Sequence, residues 1–421
     1  MPGMKTPPDQ PQAPRAVFSI PYHWFVIGLS TFVVAGMAIG GTGIPVLSPF
    51  LREELSFSRT ELGLITSLLI GGGLGTALIG GWLTDAWGVK RVLVYTAIAL
   101  TVVVFGFSFV NSLWLALVLA TAGGLAQAPS FPATSKAIVD WVPRRARGFG
   151  MGMKQTGVSG AGALVALIMP SIAQATSWRV AVMVMAGLTT IMLVALVVLY
   201  KDKPREDATV TKLDTGKLLR ALVEVVRDRR LSIPTAYSCV FVGMQFLVGA
   251  YLILFLVERA DLSPVVAGTF MGIAQITSIF WRVGWGVVSD AVFGSRRVIV
   301  LVIIGALGAV ALFAIGLVNE GTPLLVVGLI SALLGGTVLS WQGIYPALIM
   351  EVAGPDQSAT MLGASNTFTR VFIIISPPLF GLVVDATDSY RLAWSIAAVI
   401  AAVTTLGLLA LGRENPREQS S

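Results

Sequence analysis

The chain has 421 residues, of which 55% are hydrophobic and only 12% are charged, whereas soluble domains usually carry about 25% charged residues. This composition excludes an ordinary water-soluble domain, and one cysteine and one histidine exclude an intrachain disulfide and a Cys/His metal site. The net charge of +7 would suit nucleic acid, but most Lys and Arg residues orient predicted spans, so we expect no nucleic-acid partner.

Apolar runs of roughly 20 residues, long enough to cross a bilayer as a helix, recur along the whole chain. We predict twelve spans, at about 24–48, 63–84, 91–110, 113–137, 148–172, 178–200, 232–257, 264–288, 297–317, 323–349, 359–384 and 391–411. Because lipid offers no hydrogen bonds to the backbone, each span should be a helix. The predicted fold class is an all-α membrane protein of twelve transmembrane helices in two pseudo-symmetric six-helix bundles.

Polar stretches divide the chain into five predicted parts. These are a Pro-rich tail (1–20), an N-terminal bundle (21–200), a central loop (201–230), a C-terminal bundle (231–412) and a second tail (413–421). The central loop contains a predicted amphipathic surface helix around 217–229. Most basic residues lie on the side of the tails and this loop, so both termini are predicted to be cytoplasmic in a multi-pass inner-membrane protein.

The two predicted halves repeat each other in sequence. Span two is followed by GWLTDAWGVKR (81–91) and span eight by GVVSDAVFGSRR (286–297). In spans five and eleven, MGMKQT (151–156) corresponds to LGASNT (362–367). A repeat of six and six spans about an axis along the membrane normal predicts a substrate site midway between the halves.

Three charged residues lie inside predicted spans, and all three are basic: Lys154 in span five, Arg282 in span eight and Arg370 in span eleven. A charge at the bilayer centre costs at least ~2.5–3.5 kcal/mol, so each predicts a functional site. No predicted span holds a mid-membrane acid to neutralise them, and a guanidinium matches a carboxylate bidentately. We therefore expect an anionic substrate, while a structural or snorkelling role stays open for each residue.

Polar and aromatic residues of several spans are further candidates for the same pocket. They are Gln127 in span four, Gln155 in span five, Gln275 in span eight, Trp341, Gln342 and Tyr345 in span ten, and Asn366 in span eleven. Each of them also fits a plain role in packing or interhelical hydrogen bonding.

The loop after span two, with its echo after span eight, resembles the signature loop of the major facilitator superfamily, and the resemblance covers all twelve spans. It implies a twelve-helix transporter that works as a monomer. It also implies gating roles for Asp85, Lys90 and Arg91, and for their counterparts Asp290, Arg296 and Arg297. A topology and packing signal alone is the alternative interpretation of this loop.

Tyr22-His-Trp24 and the segment 41–68 resemble the monocarboxylate and oxalate/formate branch of that superfamily. In this branch an Arg of span eight binds the carboxylate, and the oxalate carriers add a basic residue in span eleven. The resemblance thus implies anion-binding roles for Arg282 and Arg370. Span one lacks the branch's Lys, and Ser278 stands where proton-coupled members have Asp, so anion exchange and proton-linked symport both stay open.

We therefore predict a secondary transporter of small organic anions, either mono- or dicarboxylates. Its expected partners are that anion, a proton or exchanged anion, and the lipid bilayer. The alternatives are a drug/proton antiporter, which would need a buried acid in spans one, four or five, and a non-transporting membrane sensor. We expect no enzyme, because the chain has no P-loop and no nucleophile with a base partner.

Overall fold

A computed structural model of the protein describes residues 22–73, 76–202, 215–354 and 357–411. The regular structure of these segments is helical throughout. The predicted tails, 1–20 and 413–421, lie outside the described residues, and the division into bundles at 21–200 and 231–412 stays a prediction. A helix is present in the central loop, close to where the amphipathic pattern predicts one.

The helices are numbered in chain order. The first half contains α1 (Tyr22–Val46), α2 (Ser48–Leu55), α3 (Arg59–Gly71), α4 (Thr76–Trp87), α5 (Val89–Phe107), α6 (Leu113–Gln127), α7 (Ser130–Trp141), α8 (Arg144–Ala175) and α9 (Trp178–Leu199). The central loop contains α10 (Thr215–Arg227). The second half contains α11 (Arg229–Ala260), α12 (Pro264–Ala291), α13 (Arg297–Ile315), α14 (Leu324–Gly336), a 3₁₀ turn (Trp341–Gly343), α15 (Tyr345–Ala353), α16 (Ser358–Thr387) and α17 (Tyr390–Leu411).

Eleven segments in the described part of the chain are long and apolar enough to cross a membrane, counting α6–α7 and α14–α15 as one span each. The predicted second span corresponds to α3 and α4, which flank residues 74–75 outside the described segments. The predicted all-helical, multi-pass fold is therefore confirmed.

Local sequence sets the ends of the helices that later position the site. Ser58 and Glu61 form a capping box at the start of α3, and the Ser263 side chain caps α12, with Pro264 in the first turn. These side chains satisfy backbone N–H groups that have no partner inside the helix. The repeated signature loop also has a structural basis, because Gly88 and Gly294 both adopt positive φ angles, 93° and 55°, which glycine tolerates best.

Two antiparallel helix pairs, α3 with α16 and α8 with α12, pack the first half against the second. We call the membrane face at which α9 ends and α10 begins, near Tyr200 and Thr215, the linker side and the opposite face the distal side. In the first pair, Ser67 Oγ donates to the Ile373 carbonyl at 3.3 Å. In the second pair, Ser278 Oγ donates to Ser159 Oγ at 2.9 Å. The site lies between these two pairs.

Spans four and ten, which occupy corresponding positions in the two halves, are both interrupted. Span four breaks at Ala128 and Pro129, between α6 and α7, and span ten breaks between Gly336 and Tyr345. Paired interruptions in corresponding spans of a repeated transporter fold are a pointer to the binding site. The breaks therefore agree with a site midway between the halves.

Candidate functional site

On the distal side, a cluster of charges joins the two halves. Arg52 and Arg59 of the first half both pair with Glu258 at the end of α11, at 2.7 and 2.8 Å. Arg59 also lies 3.5 Å from Asp385 of α16, and Tyr390 OH donates to Glu258 at 2.9 Å. We call these five residues the distal cluster; it holds the halves together at this face.

Backbone contacts reinforce the distal cluster. The Thr60 N–H and hydroxyl donate to Asp385 at 2.8 and 2.7 Å. The buried Tyr251 hydroxyl lies 2.8 Å from the carbonyls of both Arg59 and Pro377. The distal ends of α3, α11 and α16 are therefore fixed to one another. Sequence reasoning missed this cluster, because only the register between the halves brings its opposite charges together.

Four signature-loop residues on the linker side have partners within their own half or in the adjoining central loop. Lys136 pairs with Asp85 at 3.2 Å, and the Lys90 N–H donates to Asp202 at 3.0 Å. Arg297 pairs with Asp290 at 2.7 Å and with Glu351 at 3.2 Å. The side chains of Arg91 and Arg296 are exposed. Within the described segments no ion pair joins the halves on this side, and the predicted gating roles stay a prediction.

The two halves separate toward the linker side. Beyond the Ser159–Ser278 hydrogen bond, a Cβ added at Gly152 of α8 or Gly286 of α12 would meet no atom within 4 Å. On α16, Gly363 is equally open on the linker side of Arg370. Segments α4, α7 and α15 pack chiefly within their own halves. The arrangement is closed at the distal face and parted at the linker face.

Arg282 lies where α8 and α12 begin to part. It follows Ser278 by one helical turn, and Gly343 of the broken span ten packs directly against its backbone carbonyl. Its Nε atom is buried and has no hydrogen-bond partner among the described residues. A buried donor of this kind is costly unless a ligand satisfies it. The Nε–H group of Arg282 therefore lacks an acceptor in the described part of the chain.

Arg370 lies where α3 and α16 part. Its Nη1 donates to the Ile70 carbonyl at 3.4 Å, in the last turn of α3, where the helix dipole favours a cation. By helix rise, Arg370 lies roughly 18 Å from the start of α16 and Arg282 roughly 14 Å from the end of α12. Both ends face the linker side, so the two guanidinium groups occupy a similar depth in the membrane.

Lys154 lies in the same region but is bound within the first half. It is 1% exposed, and its ammonium group donates to the Phe131 carbonyl and to the hydroxyls of Thr134 and Ser135. It also lies 4.2 Å from the centroid of the Phe131 ring. All three N–H donors have partners in α7, so the predicted substrate role of Lys154 has no free donor in this conformation and stays a prediction.

The predicted aromatic residues of span ten hydrogen-bond within the second half. Trp341 is buried, and its Nε1 donates to Gln245 at 3.2 Å. The Tyr345 hydroxyl contacts Ser365, which in turn lies 2.9 Å from Thr235. These bonds favour the packing interpretation for both aromatics, while Gln342 beside them is half-buried.

The predicted polar residues divide between internal bonds and free groups. Gln127 donates to the Met37 carbonyl at 2.8 Å, which ties the break in span four to α1. Gln275 packs closely against Gly162 across the α8–α12 contact. Asn366 is exposed one turn on the linker side of Arg370. The Gln155 Oε1 is buried without a partner in the described segments. Asn366 therefore lies beside Arg370 along α16, and Gln155 carries an unsatisfied acceptor in the described segments.

Comparison with known proteins agrees with this architecture. Residues 27–377 match the family model of the Major Facilitator Superfamily. An uncharacterized MFS-type transporter of Mycobacterium tuberculosis is 28% identical, over 90% of this chain and 82% of that protein. A probable sulfoacetate transporter of Cupriavidus necator is 24% identical over 91% of this chain and 92% of its own. A hexuronate transporter of Bacillus subtilis is 24% identical over 87% and 89% of the two chains.

A solved structure shares the fold. The inward-facing, unoccupied form of a bacterial homologue of the human lysosomal transporter Spinster superposes with a TM-score of 0.74 at 15% identity. It covers 95% of this chain and 100% of its own. The family match spans most of the sequence, and the helical architecture agrees with it. The chain therefore belongs to the Major Facilitator Superfamily, and it is a multi-pass membrane transporter, not an enzyme.

Proposed function

We propose that this protein is a secondary transporter that moves small organic anions, mono- or dicarboxylates, across the cytoplasmic membrane by alternating access. The observation that carries the proposal is the pair Arg282 and Arg370. Each lies at the point where one of the two inter-half helix pairs separates, and neither has a carboxylate partner within the described residues. An anion entering from the linker side would meet both groups at the closed end.

The relatives support an anionic substrate. The names of two of them specify sulfoacetate and hexuronate, which are both organic acids. Two guanidinium groups at similar depth suit a dicarboxylate, or a monocarboxylate with a second acceptor. The proposed substrates therefore include the oxalate/formate-like and monocarboxylate-like anions that the sequence resemblance implies. Anion exchange and proton-linked symport are both compatible with this arrangement, in a transporter that works as a monomer.

The excess of basic residues on the linker side supports a cytoplasmic location for that face and for both termini. In this orientation the structure is an inward-open state, and the distal cluster is the external gate. Rocking of the halves would break the Arg59–Glu258 and Arg59–Asp385 pairs and bring the signature loops together. The drug/proton antiporter alternative gains no support, because no Asp or Glu is fully buried in the described segments.

Ligand-induced thermal stabilisation and liposome counterflow test this function together. Purified protein is screened against mono- and dicarboxylates, and the stabilising acids are then used for counterflow. We expect Arg282→Gln and Arg370→Gln to lose both stabilisation and counterflow. Arg220→Gln, an exposed residue of α10, is the matched control and should keep both.

Several outcomes would contradict the proposal. Full uptake by either variant would remove that arginine from the site. Stabilisation by acids without any counterflow would favour the non-transporting sensor. Stabilisation by hydrophobic cations instead of acids would favour the drug antiporter.

A further inference from the structure

The α8–α12 contact has a regular antiparallel register. Ser159 bonds with Ser278, and three residues toward the distal side on each helix, Gly162 packs against Gln275. One turn from the serine pair toward the linker side, the same register brings Gln155 opposite Arg282. Residues four apart lie on the same helix face, so both side chains continue the face that carries the serine contact.

Each of these two side chains carries a buried polar atom without a partner in the described part of the chain. The atom of Gln155 is its carbonyl oxygen, Oε1, and the atom of Arg282 is its Nε–H group. One is an acceptor and the other is a cationic donor, yet they do not bond with each other. Buried polar groups are nearly always satisfied, so a ligand that satisfies both must offer an acceptor to Arg282 and a donor to Gln155.

We infer that the substrate is a hydroxy acid, whose carboxylate binds Arg282 and whose hydroxyl group donates a hydrogen bond to Gln155 Oε1. This inference rests on the proposed function and specifies its substrate class. A simple carboxylate would satisfy the arginine and leave the glutamine oxygen without a partner. An amino acid also offers a donor, but its ammonium group would be repelled by the nearby cations.

The proposed ligand would also connect the two halves. Gln155 belongs to α8 of the first half and Arg282 to α12 of the second. The hydroxyl bond therefore lies across the contact at which the halves separate, beside the single Ser159–Ser278 bond. Recognition of the hydroxyl group thus depends on the first half, while recognition of the charge depends on the second half.

The test compares acids that differ in their hydroxyl groups: lactate with propionate, malate with succinate, and gluconate with hexanoate. Affinities are measured by thermal shift and by competition in counterflow. For at least one pair we expect the hydroxy acid to bind about tenfold more tightly or better, since its absence leaves a buried acceptor unpaired. Gln155→Met removes the acceptor but keeps a side chain of similar length. It should bring the ratio of hydroxy-acid to simple-acid affinity near one, while the simple acid keeps its affinity.

Two further variants separate a local role from general disturbance. Ser278→Ala removes the neighbouring contact but keeps Gln155, and should retain the hydroxyl preference. Gln155→Glu places a carboxylate opposite Arg282, and should weaken the binding of both members of each pair by occupying the guanidinium.

The outcomes distinguish this inference from the proposed function. If none of the six acids stabilises the protein, the proposed function fails and this inference fails with it. If acids bind without a hydroxyl preference, or if Gln155→Met keeps the preference, the inference alone is overturned. Wild-type affinities in Gln155→Glu would show that Gln155 does not lie opposite the guanidinium.

Discussion

Arginine occurs in two contrasting environments in this protein. In the distal cluster, Arg52 and Arg59 meet the acids Glu258 and Asp385 directly. At mid-depth, Arg370 has a single carbonyl partner, and the Nε of Arg282 has none in the described segments. The same side chain therefore joins the two halves where the chain supplies an acid, and lacks a carboxylate partner among the described residues at mid-depth.

The largest expected effect is a difference in stability between variants of these two kinds of arginine. Arg59→Gln leaves Glu258 and Asp385 without their shared cation, so we expect a loss of about 1–3 kcal/mol of unfolding free energy. Arg282→Gln removes an unsatisfied buried cation and should leave stability unchanged or higher in the absence of ligand. Thermal unfolding in detergent measures both. Equal destabilisation by the two variants would mean that Arg282 is as firmly paired as Arg59.

A second substitution would give Arg282 an acidic neighbour, as the arginines of the distal cluster have. Ser278→Asp supplies an acid one turn from Arg282, so we expect it to compete with the substrate and lower its affinity by about tenfold. Ser278→Asn, which is similar in shape but neutral, is the control and should lower affinity much less. Titration of a stabilising acid by thermal shift provides the comparison, and equal losses would assign the effect to packing.

A third change would open the distal cluster. Glu258→Gln removes the charge that Arg52 and Arg59 share, so the outward-facing state should become more populated. Ser67→Cys, introduced between α3 and α16 in a Cys239→Ser background, should then react several-fold faster with a thiol reagent applied from the distal side. The same reporter with Glu53→Gln, an exposed acid on α2, should react at the original rate. An unchanged reaction rate with Glu258→Gln would mean that the distal cluster does not act as a gate.

The smallest effect should come from Trp341. Trp341→Phe loses the bond to Gln245 and keeps most of the ring, so we expect a stability loss of about 1 kcal/mol. Substrate affinity should change by less than a factor of about two, because the indole N–H already has an internal partner. A large loss of affinity in the thermal-shift titration would support a substrate-binding role for Trp341.

Much of the fold could be predicted because hydrophobic length and charge asymmetry are local properties of the chain. The spans, the repeated loop and the three intramembrane cations all follow from them. The distal cluster could not be predicted, because its contacts join residues up to 331 positions apart and depend on the register of α3 against α16. The partners of Lys154 depend in the same way on how α8 packs against α7. The sequence alone therefore could not distinguish Lys154 from Arg282 and Arg370.

The Ser159–Ser278 bond has a consequence for the energy of the transport cycle. In the described segments it is the one side-chain hydrogen bond between α8 and α12. It joins two neutral hydroxyl groups, which can rotate to keep their contact as the helices tilt. Under the proposed function, this hydrogen bond would oppose rocking of the halves less than the ion pairs of the distal cluster do. Most of the ionic interaction that separates the halves would have to overcome therefore lies in the distal cluster, and not at the α8–α12 contact.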